Sequence, residues 1–202
     1  LRKDRKYALP GERLSTLDGL LLYSLQRRLR NYQYDTHRVL RHSRLAIQDV
    51  TFNAILIRAN TILLEIAKTI HEDLPEDLTE RFTQTHQTFE QLWDGYSRQY
   101  YSRSYLSKKL IRVNSIGSLM ALYAGSISPD RAELLVQSLH DKKMFGAEYP
   151  VPSTPLNSSY FKHHTYWQGP TWLNTNWLLA DGLERYGYTS EAKEIRNKSL
   201  HL

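Results

Sequence analysis

Apolar residues recur at spacings of three and four along almost the whole chain, and strict alternation over four or more residues is nearly absent, so the sequence predicts helices throughout. A first helix is expected from about Ser15 to Asn31, with Leu14, Leu17, Leu21, Leu25 and Leu29 on one stripe. Asp35 can cap a short second one through Ser43. A third runs from Asp49, its N-cap, to about Ile70, and places Phe52, Ile55, Leu56, Ala59, Leu63, Ile66 and Ile70 on one face. Its length marks it as a structural spine. Pro75 opens a fourth, from Glu76 to about Asp94, whose apolar positions Leu78, Phe82, Phe89 and Trp93 are sparse among Thr, Gln and Glu.

The period then lapses. The stretch from Gly95 to Lys109, with Tyr96, Tyr100, Tyr101 and Tyr105, reads as a loop or a short hairpin. A fifth helix is expected over Ser115–Ala124, stopped by Gly125, and a sixth from Pro129 to about Leu139. From His140 to Tyr166 there is no sustained period, and Gly146, Pro150, Pro152 and Pro155 break the segment. A loop of that length is functional or disordered, and its position before the Trp-rich segment argues for function. Pro170 sits where a further helix can start, with Trp172, Asn176, Leu179 and Leu183 on one face until Gly187, and the last helix runs from Ser190. The expectation is one all-α domain over residues 1–202 with about eight helices and no internal repeat.

Bulk composition narrows the class. The chain has 202 residues, 41% apolar and 24% charged, with a mean hydropathy of −0.56, values of an ordinary globular protein. The longest apolar candidates, Ala54–Ile57 and Thr61–Ile70, are interrupted by Arg58, Asn60, Glu65 and Lys68, so no membrane span is expected. The basic N-terminus, Leu1 to Lys6, has no apolar segment after it of the kind a signal peptide needs. Zero cysteines fit a reducing compartment, and a cytoplasmic location is the expectation. The net charge of +6 raises nucleic acid as a partner, because clustered cations neutralise phosphates. Arg27, Arg28 and Arg30, and again Arg38, Arg41 and Arg44, are better read as solvated helix surface, so no nucleic-acid partner is expected.

The chemistry concentrates late in the chain. Trp167, Trp172 and Trp177, three of the four tryptophans, fall within eleven residues, interleaved with Gln168, Asn174 and Asn176. Flat apolar rings pack on the C–H faces of a pyranose and neutral amides bond its hydroxyls. A helix start rich in aromatics is equally well explained as core. Both readings stand on composition. His163 and His164 have no further His or carboxylate at ligand spacing, so neither a metal nor a cofactor is expected.

Three segments are specific. Tyr166-Trp167-Gln168-Gly169-Pro170-Thr171-Trp172, then Asn176-Trp177-Leu178-Leu179, then Gly182-Leu183 and Arg185-Tyr186-Gly187-Tyr188 resemble a signature of glycosidases. Upstream, Asp49-Val50-Thr51-Phe52-Asn53-Ala54-Ile55-Leu56 and Leu92-Trp93-Asp94 follow in the same order. Together they are similar to the C-terminal part of glycoside hydrolase family 63 catalytic domains, in particular mannosylglycerate and glucosylglycerate hydrolases, relatives of processing α-glucosidase and of trehalase. The resemblance implies an (α/α)6 toroid, here a partial one, whose loops build a pocket for a small sugar or glycoside. Tyr166, Trp167, Gln168, Gly169, Trp172 and Asn176 are the candidate substrate-binding residues. Trp167 and Trp172, about 140° apart if helical, are expected to stack on sugar. Gln168 is expected to bond a hydroxyl, Gly169-Pro170 to set a turn, and Trp177 to join the core. Asn176 is divided between core and ligand.

Inverting hydrolysis needs an acid and a base about 6.5–9.5 Å apart. The family's acid and base segments are both missing between Leu1 and Leu202, so no catalytic residue is assigned. The chain is expected to be an inactive piece of a larger domain, with exposed faces through which it self-associates. Asp49 reads as a helix cap, Asp94 as a structural carboxylate at a helix end, and Asp181 and Glu184 as flanking a helix already occupied by core spacing. Glu148, in the long loop beside Tyr149, is the remaining carboxylate of interest. The alternative is a non-catalytic helical carbohydrate-binding or scaffold protein.

Overall fold

The chain is described by a computed structural model covering residues 15–43 and 45–202. Leu14 of the first expected stripe and Arg44 of the second basic cluster lie outside the described residues. The first helix, α1 (Thr16–Asn31), starts at a capping box in which Ser15 and Asp18 satisfy each other's backbone N–H groups. α2 (Thr36–His42) is capped by the Asp35 carboxylate, which accepts from the Arg38 N–H. α3 (Val50–Thr69) begins at Asp49, as its sequence predicts. One Asp49 carboxylate oxygen takes the Phe52 N–H at 3.0 Å and the other the Ser102 hydroxyl at 3.0 Å, so the cap also ties the helix to a distant loop.

The fourth expected helix is shorter than its period suggests. α4 (Glu76–Phe89) gives way to a 3-10 turn over Glu90–Leu92, and Trp93–Asp94 is a strand, β2, paired antiparallel with β3 (Gln99–Tyr100). The aromatic segment is thus a hairpin. A second pair joins β1 (Ile47–Gln48) to β4 (Arg103–Ser104). Asp94 is buried at the hairpin, where it accepts from Ser97 and from the Arg112 guanidinium at 3.2 and 3.3 Å. These bonds hold its carboxyl below the usual carboxylate range.

The fifth expected helix is two short ones, α5 (Ile116–Leu119) and α6 (Ala121–Ala124), with Met120 between them and Gly125 ending the second. α7 (Pro129–His140) has proline at its start, where the missing N–H costs nothing. After an irregular segment come α8 (Leu173–Arg185) and α9 (Thr189–Leu200). α8 begins three residues later than Pro170, which stands in extended chain: its neighbour Thr171 bridges Pro152.

The core gathers α6, α7 and the inner faces of α3, α8 and α9 around Ile57, Leu119, Leu122, Leu135, Leu179 and Leu183. The Tyr186 hydroxyl, after α8, receives the Ile127 N–H and donates to the Ile127 carbonyl at 3.0 and 3.1 Å. Its burial raises the phenol pKa to about 12.

Two expectations about this core are overturned. The stripe chosen on α3 faces outward: Phe52 is 78% exposed, and Ile55, Leu56, Ala59, Leu63, Ile66 and Ile70 are exposed with it. The buried residues are Val50, Ala54 and Ile57, roughly half a turn away at 100° per residue, with Asn60 and Ala67 at the flank between the two faces. α3 is apolar on both sides, so periodicity could not choose between them. As one continuous helix it has an 18-residue window of mean hydropathy 1.4, which makes it long and apolar enough to cross a bilayer, contrary to the reading of two interrupted runs. Here it packs on α4 and α6. α1 has no buried residue, and Leu17 and Leu21 of its stripe are exposed.

Candidate functional site

The irregular segment between α7 and α8 is held by a small set of buried polar groups. Asn176, on the first turn of α8, is fully buried, and its amide closes a two-way bond with Val151: the oxygen accepts the Val151 N–H at 2.8 Å and the nitrogen donates to the Val151 carbonyl at 2.9 Å. The same nitrogen also donates to the Trp172 carbonyl. Both amide N–H groups donate and the amide oxygen accepts, so in this fold Asn176 anchors the loop to α8.

Ser153 is the second anchor, one that composition alone did not reveal. Its N–H donates to the Pro170 carbonyl, its carbonyl receives the Ile116 N–H, and its hydroxyl accepts the Gly169 N–H at 3.0 Å. Thr154 donates to the Trp167 carbonyl, and Thr171 to that of Pro150. The visible signal was the run of prolines at 150, 152 and 155, which keeps the strand-like segment free of helix.

Gly169 is buried against the backbone of Lys162, so close that a β-carbon there would collide with the Lys162 carbonyl. Only glycine fits this crossing. Gly169 thus stands at a backbone crossing, with its N–H given to the Ser153 hydroxyl. The Lys162 N–H meets the Gln168 carbonyl at 2.5 Å, which closes the neck of a tip running from 162 to 168.

On that tip and its return stand the rings. Trp167 and Trp172 stack on each other, centroids 4.6 Å apart and planes 21° from parallel. The helical offset expected between them does not exist, because the chain is extended from Pro170 to Trp172. Tyr166 stands edge-on to both, 4.6 Å from Trp172 and 5.9 Å from Trp167. The Trp172 indole N–H donates to the Tyr166 carbonyl at 3.0 Å and locks the laminate. Trp172 is half-buried and serves as the support, whereas Trp167 is 46% exposed and Tyr166 62%. Gln168 is half-buried beside them. Trp177 is 65% exposed, a correction to its expected place in the core: the buried face of α8 runs through Asn176, Leu179, Ala180 and Leu183 and leaves it outside.

Most of the carboxylates weighed as acids or bases have other partners. Asp49 caps α3 and Asp94 holds Arg112. Asp181 pairs with Arg185 at 2.8 Å, and Glu184 with Arg196. Glu90 bonds Arg131, whose guanidinium also reaches the Tyr100 hydroxyl and lies over the Trp93 ring. Glu148 lines a cleft of about 520 Å³ between the loop and α9, with Phe145, Tyr149, Glu194, Ile195 and Lys198 among its walls. That cleft and the tryptophan laminate have no lining residue in common.

Residues 7–202 match the sequence profile of the mannosylglycerate hydrolase MGH1-like glycoside hydrolase domain. The chain belongs to this glycoside hydrolase family. A mannosylglycerate hydrolase of Thermus thermophilus is 34% identical to it over the whole chain. The crystal structure of a GH63 mannosylglycerate hydrolase from Thermus thermophilus in complex with Tris superposes with a TM-score of 0.90 at 32% identity, covering 100% of this chain and 48% of that one. Other crystals of that hydrolase hold Tris with D-glycerate, or glucose. Neutral trehalase Nth1 from Saccharomyces cerevisiae shares the fold alone, at 19% identity and a TM-score of 0.63. This family member is therefore a helical chain of the glycoside hydrolase toroid class, as its motifs implied, and it spans about half the length of the relatives it matches.

Proposed function

We propose that this chain forms the sugar-holding side of a glycoside hydrolase that cleaves a small glycoside, such as a glycosylglycerate or a disaccharide, by the inverting two-carboxylate route. The observation that carries the reading is the laminate: an indole supported from behind by a second indole, flanked by a phenol and an amide, in a chain of this hydrolase family. A stacked pair is rigid, so a sugar packing on the outer face of Trp167 meets a surface that needs no reordering on binding. Gln168 offers both a donor and an acceptor to hydroxyls beside it.

The acid and base are assigned to residues other than these. Asp49 serves as a cap and Asp181 pairs with Arg185, while the Arg112 and Arg196 guanidinium groups hold the carboxyls of Asp94 and Glu184 below the usual range and make them poor proton donors at neutral pH. Glu148 stands apart, in a separate cleft. The engagement of those carboxylates equally favours a non-catalytic carbohydrate-binding protein of the same fold. Turnover of a glycosylglycerate by the purified protein excludes that second reading.

The test of the platform is kinetic. In the complete hydrolase, Trp167→Ala and Gln168→Ala are each expected to lower kcat/KM at least about tenfold, some 1.4 kcal/mol in the transition state, with the melting temperature held. Unchanged kinetics in both would remove the platform. A fall of several degrees in the melting temperature of Trp167→Ala would place that ring in the core instead.

A further inference from the structure

Two stretches of the sequence carry lysine or arginine and no acid. The first runs from Thr36 to Gln48, with Arg38, Arg41 and Arg44, and the second from Gly95 to Pro129, with Arg98, Arg103, Lys108, Lys109 and Arg112. The fold brings them together. β1 pairs with β4, Ile47 opposite Ser104, and the Tyr105 N–H donates to the Ala46 carbonyl at 2.9 Å, so the turn after β4 is set beside α2. Between the two lies a pocket of about 360 Å³ whose walls are His37, Leu40 and Arg41 of α2 and Tyr105, Leu106 and Lys108 of the turn. It shares no lining residue with the tryptophan laminate or with the cleft beside α9. His37, Leu40 and Arg41 stand at spacings of three and four, so one face of α2 presents all three. Opposite, the turn is closed twice: the Lys108 N–H donates to the Ser104 carbonyl and the Ser104 N–H to that of Lys109, both at 3.0 Å. The Lys108 ammonium stands 3.9 Å from the centroid of the Tyr105 ring, a contact that holds the cation over an aromatic face at the pocket wall. Among the described residues no carboxylate pairs with His37, Arg41 or Lys108. Asp35, Asp49 and Asp94, which flank the two stretches, cap α2, cap α3 and hold Arg112.

We propose that this pocket is an anion site that takes a phosphate dianion, free or as a monoester. A tetrahedral phosphate carries acceptor oxygens on every side, so the planar Arg41 fork can meet it from one wall while the Lys108 ammonium meets it from the other. A carboxylate has two oxygens in one plane and half the charge. In a concave site with cations on both walls and no acid in either, the fields add, and a dianion gains over a monoanion. His37 supplies a ring N–H from the same helix face as Arg41. Leu40, Leu106 and the Tyr105 ring form an apolar wall against which the organic part of a phosphate ester can lie. Arg41 and Lys108 are exposed, so the anion enters without any opening of the fold. Arg41, expected from the sequence to be solvated helix surface, thereby gains a role that the sugar platform leaves unfilled, and the site stands independently of the hydrolase reading.

Calorimetric titration of the purified protein with inorganic phosphate, slightly above neutral pH where the dianion prevails, tests the site. Arg41→Gln and Lys108→Gln are each expected to weaken the affinity at least about tenfold. Their melting temperatures should hold, because both side chains are exposed. Arg27→Gln removes the same charge from α1, outside the pocket, and should leave the affinity as it was. No phosphate binding by the parent protein, or unchanged affinity in either pocket variant, overturns the proposal. An equal loss in all three variants overturns it too, since it would show a diffuse positive field in place of a site. Acetate should bind at least about tenfold more weakly than phosphate, and equal affinity for the two removes the choice of a dianion. Phenyl phosphate separates the two sources of the ligand. Tighter binding than inorganic phosphate assigns the pocket to an ester held on Leu40 and Leu106, and equal or weaker binding assigns it to the free anion; the site stands in both cases.

Discussion

Asn176 illustrates how one buried amide can decide the shape of a site. Its three bonds tie the first turn of α8 to Val151 and Trp172, and so fix where the long loop leaves and returns. Replacing it by alanine leaves the Val151 N–H and carbonyl unpaired in the core, at a cost of roughly 1–3 kcal/mol for each group left unsatisfied. Asn176→Ala is therefore expected to lower unfolding free energy by about 3 kcal/mol in urea titration. Its effect on sugar affinity should follow from the loosened loop alone. Asn176→Asp should be no better, because the anion cannot donate to either carbonyl. A variant that keeps its stability and loses only affinity would place Asn176 at the ligand.

Among the elements, α8 is the one whose seat is set by a single glycine. A β-carbon at Gly182 would stand 2.6 Å from the Tyr123 nitrogen and 2.7 Å from the Leu122 carbonyl carbon, both on the backbone of α6. Neither atom can rotate away. Gly182→Ala is expected to push α8 off α6 and to destabilise the fold by about 1–3 kcal/mol, the usual range for overpacking, despite alanine's better helix propensity. Calorimetric melting would check it: a higher melting temperature would mean that the two helices are less tightly apposed. Because α8 carries Asn176, the same substitution should also loosen the tip that bears Trp167.

At the scale of the whole molecule the unusual feature is the apolar surface. Leu17 and Leu21 on α1 and Phe52, Leu56, Ile66 and Ile70 at α3 are all exposed. Contiguous apolar patches beyond a few hundred Å² are rare on monomers and are normally covered. The 202-residue polypeptide alone is expected to sediment as species larger than its 23.7 kDa. The pair Phe52→Glu and Ile66→Glu, which share the outer face of α3, should shift it toward the monomer. A monodisperse 23.7 kDa particle before substitution would show that this surface is tolerated in water.

Local chemistry was legible in the sequence wherever a cap or a stop needs a particular side chain: Ser15, Asp35 and Asp49 at helix starts and Gly125 at a helix end stand where the residue types place them. The order of the glycosidase-like segments was legible too, and with it the family, because motif order survives without coordinates. Tertiary structure decided what depends on neighbours remote in sequence. α3 is apolar on two sides, and only its packing on α6 and α4 selects Val50, Ala54 and Ile57 for the interior. Trp167 and Trp172 were separable on a helical wheel, yet a bridge between Pro152 and Thr171 keeps their segment extended and brings them face to face. Asn176 and Trp177 are adjacent, and one is sealed while the other is open. A periodic pattern states which faces of an element can be buried; which of them is buried depends on what packs there, through contacts that span the chain.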